Sequence, residues 1–179
     1  MFVQTEITPN PNSLKFIPGK VVSSAGSFEV TKNDDINNEL IRNILSVNGV
    51  EGIFLSKDFI SVNKDDKNSW DDIKHIVISH INEFYASGKE FVINKDLTKQ
   101  RENFDEIERR IVKLLEEKIR PAIARDGGDI KFKEFKDGVV KVQLQGSCSG
   151  CPSSTMTLKQ GVQNLLCHYL PEVKSVEAV

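Results

Sequence analysis

Hydrophobic and polar positions in the first half of the chain predict short strands separated by turns. Residues 3–7 and 14–17 are predicted to be short strands, because the turn-forming cluster TPNPNS at 8–13 separates them. A second turn at Pro18-Gly19 follows, and residues 28–30 are a candidate third strand. The beginning of the chain is therefore predicted to be a small sheet.

Two amphipathic helices with a hairpin between them follow these strands. We expect Asp34 or Asp35 to cap the first helix and Asn48-Gly49 to end it. The segment VEGIFLSKDFISVNK predicts a hairpin that turns at Lys57-Asp58, and Ser69 caps the second helix. The apolar residues that recur at the helical period are Ile36, Leu40, Ile41, Ile44 and Leu45 in the first helix and Trp70, Ile73, Val77, Ile81 and Phe84 in the second.

The second half of the chain predicts a helix, a hairpin, a helix and a strand. The first helix is kinked or ended by Pro121, and DGGDI at 126–130 provides the glycines of a helix exit before the next strand. The hairpin turns at Asp137-Gly138, Pro152 begins the last helix, and PEVKSVEAV forms the final strand. The predicted helical stripes are Phe104, Ile107, Ile111, Leu114 and Leu115 in the first helix, and Leu158, Val162, Leu165 and Tyr169 in the last.

A polar segment divides the chain into two parts. NKDLTKQREN, at 94–103, holds one apolar residue between two clearly periodic regions. We therefore predict a first domain at 1–93, a linker at 94–103 and a second domain at 104–179. The predicted fold class is α+β, in which each small domain has a short mixed or antiparallel sheet packed against two helices.

Composition excludes several classes of protein. The formal charge is -2 and positive and negative residues are interspersed, so we expect no nucleic acid partner. No apolar run approaches the length that crosses a bilayer and the N-terminus lacks the pattern of a secretory signal, so we also expect no membrane partner. A bacterial cytoplasm, or the mitochondrial matrix for a processed eukaryotic protein, is the expected location.

The motif GSCSGCPSST at 146–155 carries the chemistry. Cys148 and Cys151 lie in a predicted loop at the N-terminus of a helix, where backbone N–H groups and the helix dipole favour thiolates. Thiolates suit a metal ligand and a redox dithiol equally, so location alone does not choose between these roles.

The length of chain after Cys151 and the small number of cysteines favour a metal or cluster site over a redox dithiol. Only 28 residues follow Cys151, too few for the elements that continue a thioredoxin-like domain. Zinc and iron-sulfur sites use about four protein donors, whereas one chain has a single CxxC. In a two-fold dimer, Cys148 and Cys151 of each protomer could meet at the axis. A dithiol oxidoreductase and a dimer held by structural zinc are the alternatives.

The stretch from Asp126 to the C-terminus, with DGGDI, GSCSGCPSST, TLKQGVQNLL and PEVKSVEAV, closely resembles the NifU C-terminal domain of Nfu-type iron-sulfur scaffold proteins. TPNPNSLKFIPG and GVEGIFLSKDFISVNK resemble the N-terminal domain of the mitochondrial and α-proteobacterial members.

This resemblance implies a carrier and not an enzyme. It implies one [4Fe-4S] cluster per homodimer, bound as metal cofactor through Cys148 and Cys151; [2Fe-2S] also uses four thiolates and is the alternative. The cluster would pass from an upstream donor to apo-proteins such as lipoyl synthase or aconitase. The first domain would assist client or partner binding.

Residues around the motif receive plainer interpretations. Cys167 is interpreted as a half-exposed or interface cysteine, with a role beside the cluster or in pairing between chains as the alternative. The sequence DGGD is interpreted mainly as a helix exit, with positioning of the cluster loop as the alternative. The small residues flanking the two cysteines predict a site near solvent.

Overall fold

The computed structural model describes residues 2–24, 26–35, 37–90, 103–149 and 152–179. Nearly all of the predicted linker at 94–103 lies outside these residues, and the predicted domain boundaries therefore stay predictions. Two sheets with their own helices form the described structure, which confirms the predicted α+β class.

The first sheet has five antiparallel strands in the order β1-β2-β5-β4-β3. The predicted strands and the predicted hairpin are all present, and the hairpin closes where the backbone N–H of Ser56 donates to the carbonyl of Phe59. The strands are β1 Gln4–Ile7, β2 Ser13–Ile17, β3 Phe28–Thr31, β4 Val50–Leu55 and β5 Ile60–Lys64.

Helices α1 Glu39–Leu45 and α2 Trp70–Ala86 follow β3 and β5 respectively. Ser69 caps α2 as predicted, but the predicted cap of α1 is wrong. Asn38 caps α1, because its Oδ1 accepts a hydrogen bond from the backbone N–H of Ile41 at 3.1 Å. The carboxylate of Asp34 instead accepts from Thr31, so it closes the turn after β3. Ile36 lies outside the described residues.

The two faces of the five-stranded sheet bury different kinds of residue. One face packs against α1 and α2 and forms a core that includes Phe16, Ile53 and Val62. Successive side chains of a strand point to opposite faces. Phe54 and Ser61 therefore lie on the other face, yet both are fully buried and neither belongs to that core. Something other than the two helices covers this second face.

The second half of the chain forms a three-stranded sheet in the order β6-β7-β8, in which β6 and β7 are antiparallel and β7 and β8 are parallel. The helix α5 connects β7 to β8. The elements are α3 Glu106–Leu114, α4 Arg120–Arg125, β6 Gly128–Lys136, β7 Val139–Gly146, α5 Pro152–Tyr169 and β8 Ser175–Ala178.

A π-helical turn at Leu115–Ile119 joins α3 to α4. Pro121 has no backbone N–H to donate, and its ring disfavours the regular helical geometry of the preceding turn. The turn widens, and the backbone N–H of Arg120 reaches the carbonyl of Leu115, five residues back. Pro121 was predicted to kink or end the helix, and the structure shows a widened turn before it in a helical segment that continues to Arg125.

The stripe predicted for α5 is partly wrong. Val162 and Leu166 are buried, whereas Tyr169 is 49% exposed and lies beside Lys118. The buried line continues to Leu170 in steps of four residues, each of which turns about 40° further around a helix of 3.6 residues per turn. It therefore drifts away from Tyr169 near the end of the helix. None of the helices in the described ranges has the length and apolar character of a membrane-spanning segment.

Candidate functional site

The loop between β7 and α5 is held by hydrogen bonds at both ends. Gly146 ends β7 with φ +69°, and its carbonyl accepts from the backbone N–H of Ser149 at 3.2 Å and from Ser149 Oγ at 2.8 Å. On the helix side, Thr155 Oγ1 donates to the carbonyl of Cys148 at 3.2 Å. The predicted placement of Cys148 between a strand end and a helix start is confirmed.

Cys148 is buried and belongs to the core of the second sheet, with 6% of its surface exposed. The prediction of a site near solvent is therefore wrong for this residue, because the cover comes from parts of the chain distant in sequence. Cys151 lies outside the described residues. The proximity of the two cysteines stays a prediction from their spacing.

The DGGD segment supports the loop. The backbone N–H of Ser147 donates to the carbonyl of Gly127 at 3.2 Å, and Ser147 Oγ donates to the carbonyl of Asp126. A Cβ on Gly128 would lie 2.6 Å from Cys148 Sγ. The helix exit predicted for DGGD is confirmed. These residues also contact the cysteine loop directly, and their role in positioning the cluster loop stays a prediction.

The first sheet binds the same loop from the other side. Asn10 Nδ2 donates to the carbonyl of Ser147 at 3.1 Å, and Asn63 Nδ2 donates to the carbonyl of Gly146 at 3.4 Å. Ser61 Oγ donates to the carbonyl of Gly127 at 2.5 Å. The second face of the five-stranded sheet is thus covered by the cysteine loop and its support.

Charged residues form the edge of this contact. Asp129 is buried and accepts two hydrogen bonds from the guanidinium of Arg120, at 2.8 and 2.9 Å, and a third from Ser27 Oγ. Lys131 Nζ donates to the carbonyl of Ser27 at 2.9 Å. Because Ser27 belongs to the first half of the chain, this ion pair anchors one half on the other.

Glu29 faces the loop from β3. Its Oε1 accepts from Ser149 Oγ at 3.3 Å. Burial raises the pKa of this carboxyl above its ordinary value of 4.5, and the hydrogen bonds from Ser149 and from the backbone of Gly146 offset part of that rise. The ionised form of Glu29 is therefore disfavoured by its buried position in this contact.

We expect Glu29→Gln to stabilise the cluster-free protein at pH 7.5 by roughly 2 °C in Tm, a small effect for a chain of this size. The pKa of Glu29 is higher in the folded than in the unfolded chain, so protonation favours folding. That contribution is present below about pH 4.5 and is lost as the pH rises through the folded pKa. Thermal unfolding at pH 7.5 and pH 4.5 checks this, and an equal Tm difference at both values would contradict it.

A pocket of about 580 Å³ opens beside Cys148. Apolar residues of the second half, including Ile119 and Leu158, line most of it, and Pro9 of the first half lines it as well. The turn that holds Asn10 therefore also borders the space next to the cysteine. Sequence reasoning treated this turn only as a separator of strands, and nothing in a single sequence signals its contact with residues 147–149.

Cys167 lies far along α5 from the loop. It is half-buried against the core of the second sheet, as predicted. Thr155, which contacts Cys148, precedes Cys167 by twelve positions of helix, a rise of about 18 Å at 1.5 Å per residue. Cys167 and Cys148 of one chain cannot ligate the same small cluster at that separation. Among the described residues, no three or more His, Cys, Asp or Glu side chains are grouped to hold a metal ion.

Two family models match the chain. The model described as "NifU-like domain" matches residues 111–177, and the model described as "Scaffold protein Nfu/NifU N terminal" matches residues 3–88. Together they cover most of the sequence, and each match contains one of the two sheets.

Curated relatives match the whole chain. The human protein "NFU1 iron-sulfur cluster scaffold homolog, mitochondrial" is 43% identical over 183 residues, which is 100% of this chain and 72% of the human protein. "NifU-like protein 4, mitochondrial" of Arabidopsis thaliana is 42% identical over 185 residues, which is 99% of this chain and 65% of that protein. The chain thus spans about two thirds of the length of these relatives.

Among solved structures, a NifU-like protein from Saccharomyces cerevisiae matches with TM-score 0.49 and 28% identity, over 53% of this chain and 87% of that one. Protein SAV1430 from Staphylococcus aureus matches with TM-score 0.41 and 33% identity, over 45% of this chain and 98% of that one. Both TM-scores lie below 0.5, so the fold assignment rests on the strand pairings described above. The two family models, and relatives that match the whole of this chain, show that it belongs to the Nfu family of NifU-like scaffold proteins.

Proposed function

We propose that this protein is an iron-sulfur cluster carrier that holds one labile [4Fe-4S] cluster between two protomers and transfers it to apo-proteins. Cys148 and Cys151 of each chain supply the four thiolates. The cluster is cargo, received from an upstream donor and released to an acceptor. The names of the human and Arabidopsis relatives support the scaffold role and favour the mitochondrial matrix over the bacterial cytoplasm as its location.

The position of Cys167 carries the proposal of a shared cluster. The chain has three cysteines, and Cys167 lies about 18 Å along α5 from Thr155, which contacts Cys148. One protomer therefore offers two loop thiols at most, whereas a cluster with only cysteine ligands needs four. A two-fold dimer supplies the missing two by presenting the same loop twice.

Transfer is a ligand exchange without net oxidation or reduction. A thiolate of the docked acceptor forms an iron-sulfur bond while the bond from iron to Cys148 or Cys151 breaks. The displaced thiolate takes a proton from solvent or remains ionised at the helix N-terminus. Docking holds the acceptor thiolates next to the cluster, so each ligand exchange is effectively intramolecular. The cluster can therefore pass to the docked acceptor even though Cys148 and Cys151 bind it only loosely.

Anaerobic reconstitution with ferrous iron and sulfide tests this function. We expect a brown dimer with about two irons and two sulfides per chain, the ratio of one four-iron cluster per dimer. A colourless dimer that contains zinc and lacks sulfide would support structural zinc instead. Catalytic reduction of a test disulfide by a monomer without iron would support an oxidoreductase. Either of these results contradicts the proposal.

A further inference from the structure

We propose that the N-terminal domain is a releasable cover of the cysteine loop, held on it in the unloaded protomer and displaced when two protomers bind a cluster. The inference rests on the proposed function, which assigns no role to contacts between the two domains. The cover is the second face of the five-stranded sheet together with the turn at Pro9 and Asn10.

The contact surrounds Cys148 on both sides in sequence. Hydrogen bonds from Asn63 and Asn10 end on the carbonyls of Gly146 and Ser147, which precede the cysteine. After the cysteine, Ser149 Oγ donates to Glu29, and Asn10 Nδ2 approaches the carbonyl of Ser149 at 3.5 Å. The backbone on each side of Cys148 is thus bound by the N-terminal domain.

A cluster shared by two chains needs the surface that this contact occupies. In a two-fold dimer the same patch of each protomer meets its copy at the axis, so the partner's loop must come within direct bonding reach of one cluster. Cys148 is 6% exposed, and Pro9 borders the pocket beside it. In the docked arrangement the Cys148 side chain is therefore too little exposed for a partner's loop to reach a cluster bound to it, and binding a shared cluster requires a rearrangement.

Of the rearrangements that would expose the cysteine loop, separation of the two domains changes the rest of the molecule least. In the described residues the two hydrophobic cores share no residue, so each domain keeps its core when the contact opens. The exception is Cys148, a core residue whose loop loses the hydrogen bonds from Asn10 and Asn63 and becomes free to move it out of the core. The contact itself is rich in single side-chain hydrogen bonds. A contact held by single side-chain hydrogen bonds, each of which contributes little net stability, is suited to opening.

Alkylation of the reduced, cluster-free protein tests the cover. We compare the wild type with Asn10→Ala/Asn63→Ala, which removes two donors to the loop, and measure the rate of iodoacetamide labelling at Cys148 by tandem mass spectrometry. We expect the rate to rise about five- to thirty-fold, because the loss of one or two hydrogen bonds shifts an opening equilibrium by that factor. The matched control is Asn33→Ala/Asn37→Ala, in which two exposed asparagines of the same domain are replaced. Its rate should equal that of the wild type.

X-ray scattering of the wild type provides a second measurement that needs no variant. The unloaded protein should fit the docked arrangement, and the anaerobically loaded dimer should fit only with the two domains of each chain apart. Equal labelling rates in the two double variants, or a loaded dimer with both covers docked, would overturn the inference. A protein that takes up neither iron nor sulfide would instead overturn the proposed function, and the labelling result would still stand.

Discussion

Replacing Cys148 or Cys151 with serine is expected to abolish cluster binding. Each substitution removes two of the four thiolates from a two-fold site, and a neutral hydroxyl is a poor ligand for iron compared with a thiolate. After anaerobic reconstitution and desalting, we expect less than about a tenth of the wild-type iron and sulfide, since such sites depend on their complete ligand set. The dimer that forms on cluster binding should be lost with them. Iron and sulfide analysis and size-exclusion chromatography measure both effects.

Cys167→Ser is the matched control for these substitutions. It removes the same sulfur from the same module, but at a half-buried position far along α5. We expect iron, sulfide and dimer at wild-type levels. If Cys148→Ser retained the cluster while Cys167→Ser lost it, the assignment of the loop cysteines as ligands would be wrong.

Gly146→Ala is expected to destabilise the second domain strongly. Gly146 has φ +69°, a conformation that costs a residue with a Cβ about 1 kcal/mol or more. That Cβ would lie 2.6 Å from the carbonyl oxygen of Gly127 and 3.0 Å from Phe54 Cδ1. Because the added Cβ would meet backbone on one side and a buried ring on the other, neither neighbour can move aside easily. We expect a loss of about 2–4 kcal/mol and a fall in Tm of about 5–15 °C.

Gly161→Ala makes the same chemical change in the same domain with the opposite expected sign. Gly161 lies inside α5, and a Cβ there would meet nothing within 4 Å. Alanine is favoured over glycine in a helix by about 0.5–1 kcal/mol, so Tm should rise slightly. Thermal unfolding followed by circular dichroism compares the two variants. An equal effect of both substitutions would show that the close approach at Gly146 is not what limits stability.

Local sequence patterns predicted most of the secondary structure, because they depend on neighbours along the chain. The hairpin that turns at Asp137-Gly138 is an example, since both residues have positive φ and this dipeptide is suited to such a turn. Pro152 begins α5 as expected. The cap of α1 was missed because several residues before that helix can accept from its N–H groups, and only the turn at Thr31 commits Asp34 elsewhere.

Burial at the candidate site could not be predicted in the same way. The flanks of Cys148 are small residues, and from the sequence they favour exposure. The cover comes instead from residues far away in sequence: the core of the second sheet buries the Cys148 side chain, and Asn10 and Asn63 bind backbone carbonyls of the loop. Every residue has a backbone carbonyl, so hydrogen bonds to carbonyls require no particular side chain in the loop. The sequence of the loop therefore does not reveal them. Contacts of this kind are visible only in three dimensions.

Within the described ranges of the chain the two hydrophobic cores have no residue in common, which bears on how the protein unfolds. Each half should unfold as its own cooperative unit, so calorimetry of the protein should resolve two transitions. A substitution that unfolds only the half with the cysteine loop would then leave the first half folded.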